Sequence, residues 1–221
     1  MPINHETNHD LLEVVRRRAT TYLDTSPRSE RVLAAMERVD RALFLPPDQR
    51  RWAYHDEPVP IGHGQTCSEP SMVAFMLDKL DLQPGQRVLE IGTGCGYVAA
   101  IGALLIAPGG TFYGIERIPE LAQQARQNLA GLRDRVVIVE GDGSGGLPSQ
   151  APFDRILVSA GVEGKERPRL EAILLAQLVP GGILVYPESH GNLYVVVKDP
   201  GGTRRTTYYG VSFVPLVSDG S

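Results

Sequence analysis

Arg87-Val88-Leu89-Glu90-Ile91-Gly92-Thr93-Gly94-Cys95-Gly96-Tyr97 is the stretch on which the reading of the fold turns. Arg87 to Ile91 reads as a buried strand: a short aliphatic run with β-branched members, stopped by glycine. Three glycines at alternate positions then make a turn, and the alanine-rich segment around residues 97–106 reads as a helix. A glycine loop between strand and helix lets a ligand approach backbone NH groups at a helix N-terminus. In a doubly wound sheet that loop lies at the carboxyl edge of the strands, where ligands bind.

The same alternation continues toward the C-terminus. Strands are expected at Thr111–Glu116, Val136–Glu140, Asp154–Val158 and Gly182–Tyr186, with helices from Pro119 to about Leu129 and from about Pro168 to Leu178. Two β-rich runs close the chain, Leu193–Lys198 and Tyr208–Val214. That order predicts an α/β fold: a doubly wound, mostly parallel Rossmann-like sheet ending in an antiparallel hairpin. Toward the N-terminus, residues 10–45 carry helical spacing, with Ser26 as N-cap and Pro27 in the first turn of a second helix. The Arg16-Arg17-Arg18 run reads as a solvated helix face or a partner of the helix C-terminal dipole. Between Leu45 and Pro70, six Pro and Gly positions (Pro46, Pro47, Pro58, Pro60, Gly62, Gly64) forbid a regular helix. A loop of that length in a compact domain is usually functional. After it, Ser68-Glu69-Pro70 is expected to cap and open a helix through Leu80.

Bulk properties narrow the function classes. With 221 residues the chain suits one domain, residues 1–70 giving helices and a loop and residues 71–221 the core. A formal net charge of −4 gives no reason to expect nucleic acid or an anionic membrane as partner. No apolar run approaches the roughly 18 residues of a membrane span, and Met1-Pro2-Ile3-Asn4-His5-Glu6 lacks the order of a secretory signal. Two cysteines, Cys67 and Cys95, make neither a disulfide framework nor a metal site. The expectation is a cytoplasmic monomer without a metal.

The residues at the strand ends point to a ligand. A dinucleotide loop wants G-x-G-x-x-G, and Tyr97 stands at its third glycine position. S-adenosylmethionine has no diphosphate to cradle, so it does not need that glycine. Glu90, ending the first strand, is placed to organise the loop and sit near the cationic end of such a ligand. Glu116, ending the second, is placed to accept hydrogen bonds from both ribose hydroxyls. Asp142-Gly143, after the third, is placed at the adenine edge. The cofactor-binding set is therefore Glu90, Gly92, Thr93, Gly94, Gly96, Glu116, Arg117, Asp142 and Gly143. For each acidic residue the plainer alternative is a loop-organising carboxylate or a solvated turn.

With those residues in view, the chain resembles the protein-L-isoaspartate O-methyltransferases. The resemblance is carried by Val39-Asp40-Arg41, Phe44-Leu45-Pro46, Ala53-Tyr54-His55-Asp56 and Pro60-Ile61-Gly62-His63-Gly64-Gln65-Thr66-Cys67-Ser68-Glu69-Pro70. It continues through Val88–Tyr97, Gly141-Asp142-Gly143, Ala151-Pro152-Phe153-Asp154, Gln177-Leu178-Val179-Pro180-Gly181-Gly182 and the tail Val214-Pro215-Leu216. It implies a seven-stranded sheet and methyl transfer from S-adenosylmethionine to the free carboxylate of isoaspartyl residues in damaged proteins or peptides. By position it makes Ser68 the active-site serine and places it, with Gln65, Thr66 and Cys67, along the cofactor as well. A carboxylate is already ionised near neutral pH and needs no strong base, so a positioning hydroxyl suits the task. Ser68 is equally read as a helix cap, Cys67 as packing or a cofactor contact, and His55 and His63 as loop hydrogen-bonders. Two segments depart from the family pattern on the substrate side: Gly161-Val162-Glu163-Gly164-Lys165-Glu166-Arg167-Pro168, and Pro187-Glu188-Ser189. They favour, as the second reading, a methyltransferase of the same fold acting on a small-molecule or modified-peptide carboxylate or hydroxyl. A nicotinamide-dependent oxidoreductase and a non-catalytic binding module are the readings from other classes.

Overall fold

The computed structural model describes residues 7–19 and 26–218, so the readings of the first six residues and of positions 20–25 lie outside the described residues. Two helices, α1 (Asn8–Ala19) and α2 (Pro27–Glu37), precede a short 3-10 turn at Arg41–Phe44. Ser26 caps α2 as expected, accepting from Ser29 N, and Pro27 opens it. The arginine run divides: Arg16 pairs with Glu30 at the surface, while Arg18 reaches the buried Asp56 at 3.0 Å.

The proline- and glycine-rich stretch is not wholly irregular. It holds a small antiparallel hairpin, β1 (Val59–Gly62) and β2 (Gln65–Cys67). Gly62, His63 and Gly64 all take positive φ in its turn, which is why two glycines flank the bend. Helix α3 (Pro70–Leu80) follows, but Ser68 does not cap it. Glu69 holds the N-cap position without a side-chain cap bond, and Asp56 Oδ1 accepts from Ser71 N at 2.8 Å instead. The segment 53–56 thus supplies the cap, a non-local solution that no local spacing reveals.

Alternating elements then build the sheet: β3 (Arg87–Ile91), α4 (Tyr97–Leu105), β4 (Thr111–Glu116), α5 (Pro119–Asn128), β5 (Val136–Glu140), β6 (Phe153–Val158), α6 (Arg167–Ala176), β7 (Leu178–Pro187), β8 (His190–Asp199) and β9 (Gly202–Ser212). The seven strands are ordered β5-β4-β3-β6-β7-β8-β9. From β5 to β7 neighbouring strands are parallel, and β8 and β9 pair antiparallel. Side chains alternate between two cores. Val88, Phe112, Val136, Leu157 and Val185 face the core shared with α1–α5, and Leu89, Tyr113, Ile156 and Leu184 face the one closed by α6. Helix α4 buries Tyr97, Ala99, Ala100, Ile101 and Ala103, which explains its uniformly apolar sequence.

The last three strands start earlier than the sequence reading has them, β8 at His190 and not Leu193, and two of these boundaries have a clear cause. Helix α6 stops at Ala176 and β7 starts at Leu178, because Gln177 turns inward. Its carbonyl accepts from Phe153 N at 2.8 Å, and its side chain bonds Leu147 N and Gly145 O. Strand β9 begins at Gly202, well before Tyr208, since this exposed edge strand carries Thr and Arg where a buried one would show apolar alternation. The strand order reverses between β3 and β6, so a crevice opens at the carboxyl ends of these strands.

Candidate active site

Glu90 and Glu116 shape the crevice from the ends of β3 and β4. Glu90 is fully buried, with Oε2 accepting from Thr93 Oγ1 at 2.6 Å and Oε1 from Ser159 Oγ at 2.7 Å. Burial lifts its carboxyl to about 7, against the pull of those two hydroxyl donors, and the nearby Glu116 adds to the rise. Glu116 Oε2 accepts from Gly94 N at 2.9 Å and Oε1 from Ile118 N at 3.0 Å, tying the glycine loop to the turn after β4. Each oxygen keeps a further lone pair for a ligand hydroxyl. Gly96 caps α4 at φ +87°, and a Cβ there would stand 2.8 Å from Leu129 Cδ1, so the position demands glycine both by conformation and by space.

The glycine-loop cavity brings together Gln65, Thr66, Gly92, Gly94, Glu116 and Arg117, with Gly143 on the same wall. Glu90, Thr93, Gly96 and Cys67 are buried and support that wall. Asp142 lines an adjoining cavity, and its Oδ1 accepts from Ser144 N at 2.8 Å. A third cavity holds Ser68, Glu69 and Met72 against the end of β9. Thr66, Ser159 and Val214 line both this cavity and the glycine-loop cavity, so the two meet along these residues.

Ser68 owes its position to Arg41. That guanidinium is wholly buried and donates to five carbonyls: Ala53 (3.1 Å) and His55 (2.9 Å) from Nη1, and Glu57 (2.9 Å), Cys67 (3.2 Å) and Ser68 (3.0 Å) from Nη2. One planar cation therefore gathers both arms of an irregular loop. Asp40, its neighbour, caps the 3-10 turn through Ala42 N and accepts from Tyr54 Oη at 3.0 Å. Arg41 and Ser159 were not among the site residues expected from sequence. Arg41 lay within the family-like Val39-Asp40-Arg41 segment, and Ser159 had no signal beyond following the fourth parallel strand.

The two segments that depart from the family pattern meet each other. Val162 N donates to Pro187 O (2.9 Å) and Ser189 N to Val162 O (3.3 Å), while Gly161 bonds Val214 and Leu216 of the tail, both at 2.7 Å. A Cβ at Gly161 would lie 2.4 Å from Ser189 Cα, so the exchange at one segment constrains the other.

A family model for protein-L-isoaspartate(D-aspartate) O-methyltransferase matches residues 5–221. The chain belongs to this family. A protein-L-isoaspartate O-methyltransferase of Aeropyrum pernix is 48% identical over 86% of this chain and 74% of its own length. Among solved structures, a Plasmodium falciparum protein named for the same activity, in complex with S-adenosyl-L-homocysteine, covers 97% of this chain and 100% of its own. Its TM-score is 0.81 at 26% identity. Another protein-L-isoaspartate O-methyltransferase has the same fold, with a TM-score of 0.78 at 23% identity over 96% of this chain, which spans 66% of that protein. Family membership thus agrees with the seven-stranded architecture.

Proposed function

We propose that this chain is an S-adenosylmethionine-dependent carboxyl O-methyltransferase that methylates the free carboxylate of L-isoaspartyl residues in damaged proteins. The observation that carries the reading is the junction of two cavities at Thr66, Ser159 and Val214, one walled by the glycine loop and Glu116, the other by Ser68. A methyl donor and an acceptor in these two spaces would meet at that junction.

The residues fit the cofactor. Glu116 offers lone pairs to ribose hydroxyls, Gly94 leaves the loop backbone open to close approach, and Gln65, Thr66, Arg117 and Gly143 complete the wall. Gly92, Thr93 and Gly96 hold the loop in shape, Cys67 backs the hairpin, and Asp142 stands by the adjoining space at the adenine side. When bound, the cofactor supplies an electrophilic sulfonium methyl. The protein's own part is to desolvate the acceptor carboxylate, aim it and exclude water. Ser68, half-buried with a hydroxyl that bonds no described residue, is the donor that orients it. The same proposal has residues 1–70 and 71–221 act as one domain, monomeric and cytoplasmic, without nucleic acid or membrane as partner. Among the described residues no helix is long and apolar enough to cross a membrane.

The test is transfer of labelled methyl to an isoaspartyl peptide, with its aspartyl twin as control. Base-labile label on the isoaspartyl peptide alone is the expected result; no label on either sinks the assignment. The joined Gly161–Pro168 and Pro187–Ser189 segments favour the second reading, a different carboxylate or hydroxyl acceptor. Binding of S-adenosylhomocysteine with no isoaspartyl activity would select it.

A further inference from the structure

On the proposed function the cavity beside Ser68 receives a carboxylate, yet the one charged residue among its described lining residues is another carboxylate, Glu69. The other polar side chains there are the hydroxyls of Thr66, Ser68, Ser159 and Ser212. Glu69 is half-buried at the N-cap position of α3, where the positive end of the helix favours a charged carboxylate. Its Oε1 accepts from Ser71 Oγ at 3.0 Å, and its Oε2 bonds no described residue.

The arginines that act on this carboxyl are engaged elsewhere. Arg18 pairs with Asp56 at 3.0 Å, and Arg41 spends both terminal nitrogens on five backbone carbonyls. Burial raises the Glu69 carboxyl above the ordinary glutamate range, against the pull of the Ser71 hydroxyl, and Asp56 adds to the rise. An acceptor carboxylate beside Ser68 brings a second negative charge into the same partly desolvated space, where repulsion is weakly screened. One sulfonium charge offsets one carboxylate. Glu69 then keeps no counter-charge unless the substrate carries it.

We infer that Glu69 is a specificity-determining residue, which selects isoaspartyl substrates carrying a lysine or arginine beside the damaged residue. Its free Oε2 accepts from that ammonium or guanidinium while Ser68 orients the neighbouring isoaspartyl carboxylate. An acidic neighbour would instead place three carboxylates in one cavity. This selection rests on the proposed isoaspartyl methylation and adds to it the surroundings in which damage is recognised.

The experiment uses three isoaspartyl peptides that differ only in the residue next to the isoaspartyl: lysine, norleucine or glutamate. Each is made with that residue on either side, and binding is read by calorimetry with S-adenosylhomocysteine present. On at least one side the lysine peptide should bind roughly 10-fold more tightly than the norleucine peptide, and the glutamate peptide most weakly. Glu69→Gln, which keeps an acceptor for Ser71 Oγ, should bring the three within about twofold of one another, and Glu69→Lys should reverse their order. Equal binding by the parent, a preference that survives Glu69→Gln, or no binding of any peptide would overturn the selection. Methyl transfer to the same peptides separates the two readings. Charge-ordered binding without transfer would count against the proposed function alone, and equally efficient transfer to all three against the role of Glu69 alone.

Discussion

Ser159 Oγ donates to Glu90 Oε1 at 2.7 Å, joining the end of β6 to the end of β3 under the glycine-loop cavity. The bond makes Glu90 a support of the loop, and its burial has a cost that depends on pH. The carboxyl rises from 4.5 to about 7, so the folded state binds more protons than the unfolded chain between these values. Stability contributed by the neutral form is then fully present below 4.5 and is lost as pH rises through 7, by about 3 kcal/mol at most. Glu90→Gln should flatten this window in urea denaturation at pH 5 and pH 7.5. An undiminished pH slope in the variant would remove Glu90 as its source.

Glu116 should act on both loop and ligand. Its carboxylate already accepts from Gly94 N and Ile118 N, so Glu116→Ala frees the glycine loop while deleting the acceptor for ribose hydroxyls. Cofactor affinity should fall by roughly 1–3 kcal/mol, read by calorimetric titration with S-adenosylhomocysteine. Unchanged affinity would take Glu116 out of the cofactor site.

What the sequence revealed follows from how local each feature is. Strands β3, β4 and β5 were legible to the residue because buried parallel strands are short apolar runs bounded by glycine or acid. The placement of Gly92, Gly94 and Glu116 around one cavity was legible for the same reason: they terminate those strands. Arg41 was not, since its five acceptors lie 12 to 27 residues away and a buried arginine looks like any other. The cap on α3 was misread because Asp56 supplies it across the loop in place of Ser68. Strand β9 was half missed because an exposed edge hides its period.

Arg41→Met should be among the most damaging single changes. It leaves the carbonyls of residues 53, 55, 57, 67 and 68 without their shared donor in a buried setting. A loss of about 3–5 kcal/mol is expected by chemical denaturation. Arg41→Lys should recover only part of it, because an ammonium lacks the planar fork that spans both arms. A variant within about 0.5 kcal/mol of the parent would show that the loop holds its shape without this cation.

Ser68→Ala separates positioning from folding. The hydroxyl neither caps α3 nor bonds any described residue, so its removal should change stability by no more than about 0.5 kcal/mol. If it donates to the acceptor carboxylate, the lost bond to a charged group is of order 1.5–3 kcal/mol, or roughly 10- to 100-fold in turnover. Affinity for S-adenosylhomocysteine should stay near the parent value, because Ser68 lines the acceptor-side cavity and not the glycine-loop cavity. Single-turnover methyl transfer alongside calorimetry gives both readings on one preparation. Equal losses in rate and cofactor affinity would move Ser68 to the cofactor side, and no loss in rate would leave orientation of the carboxylate to Thr66 and Ser159 at the junction of the cavities.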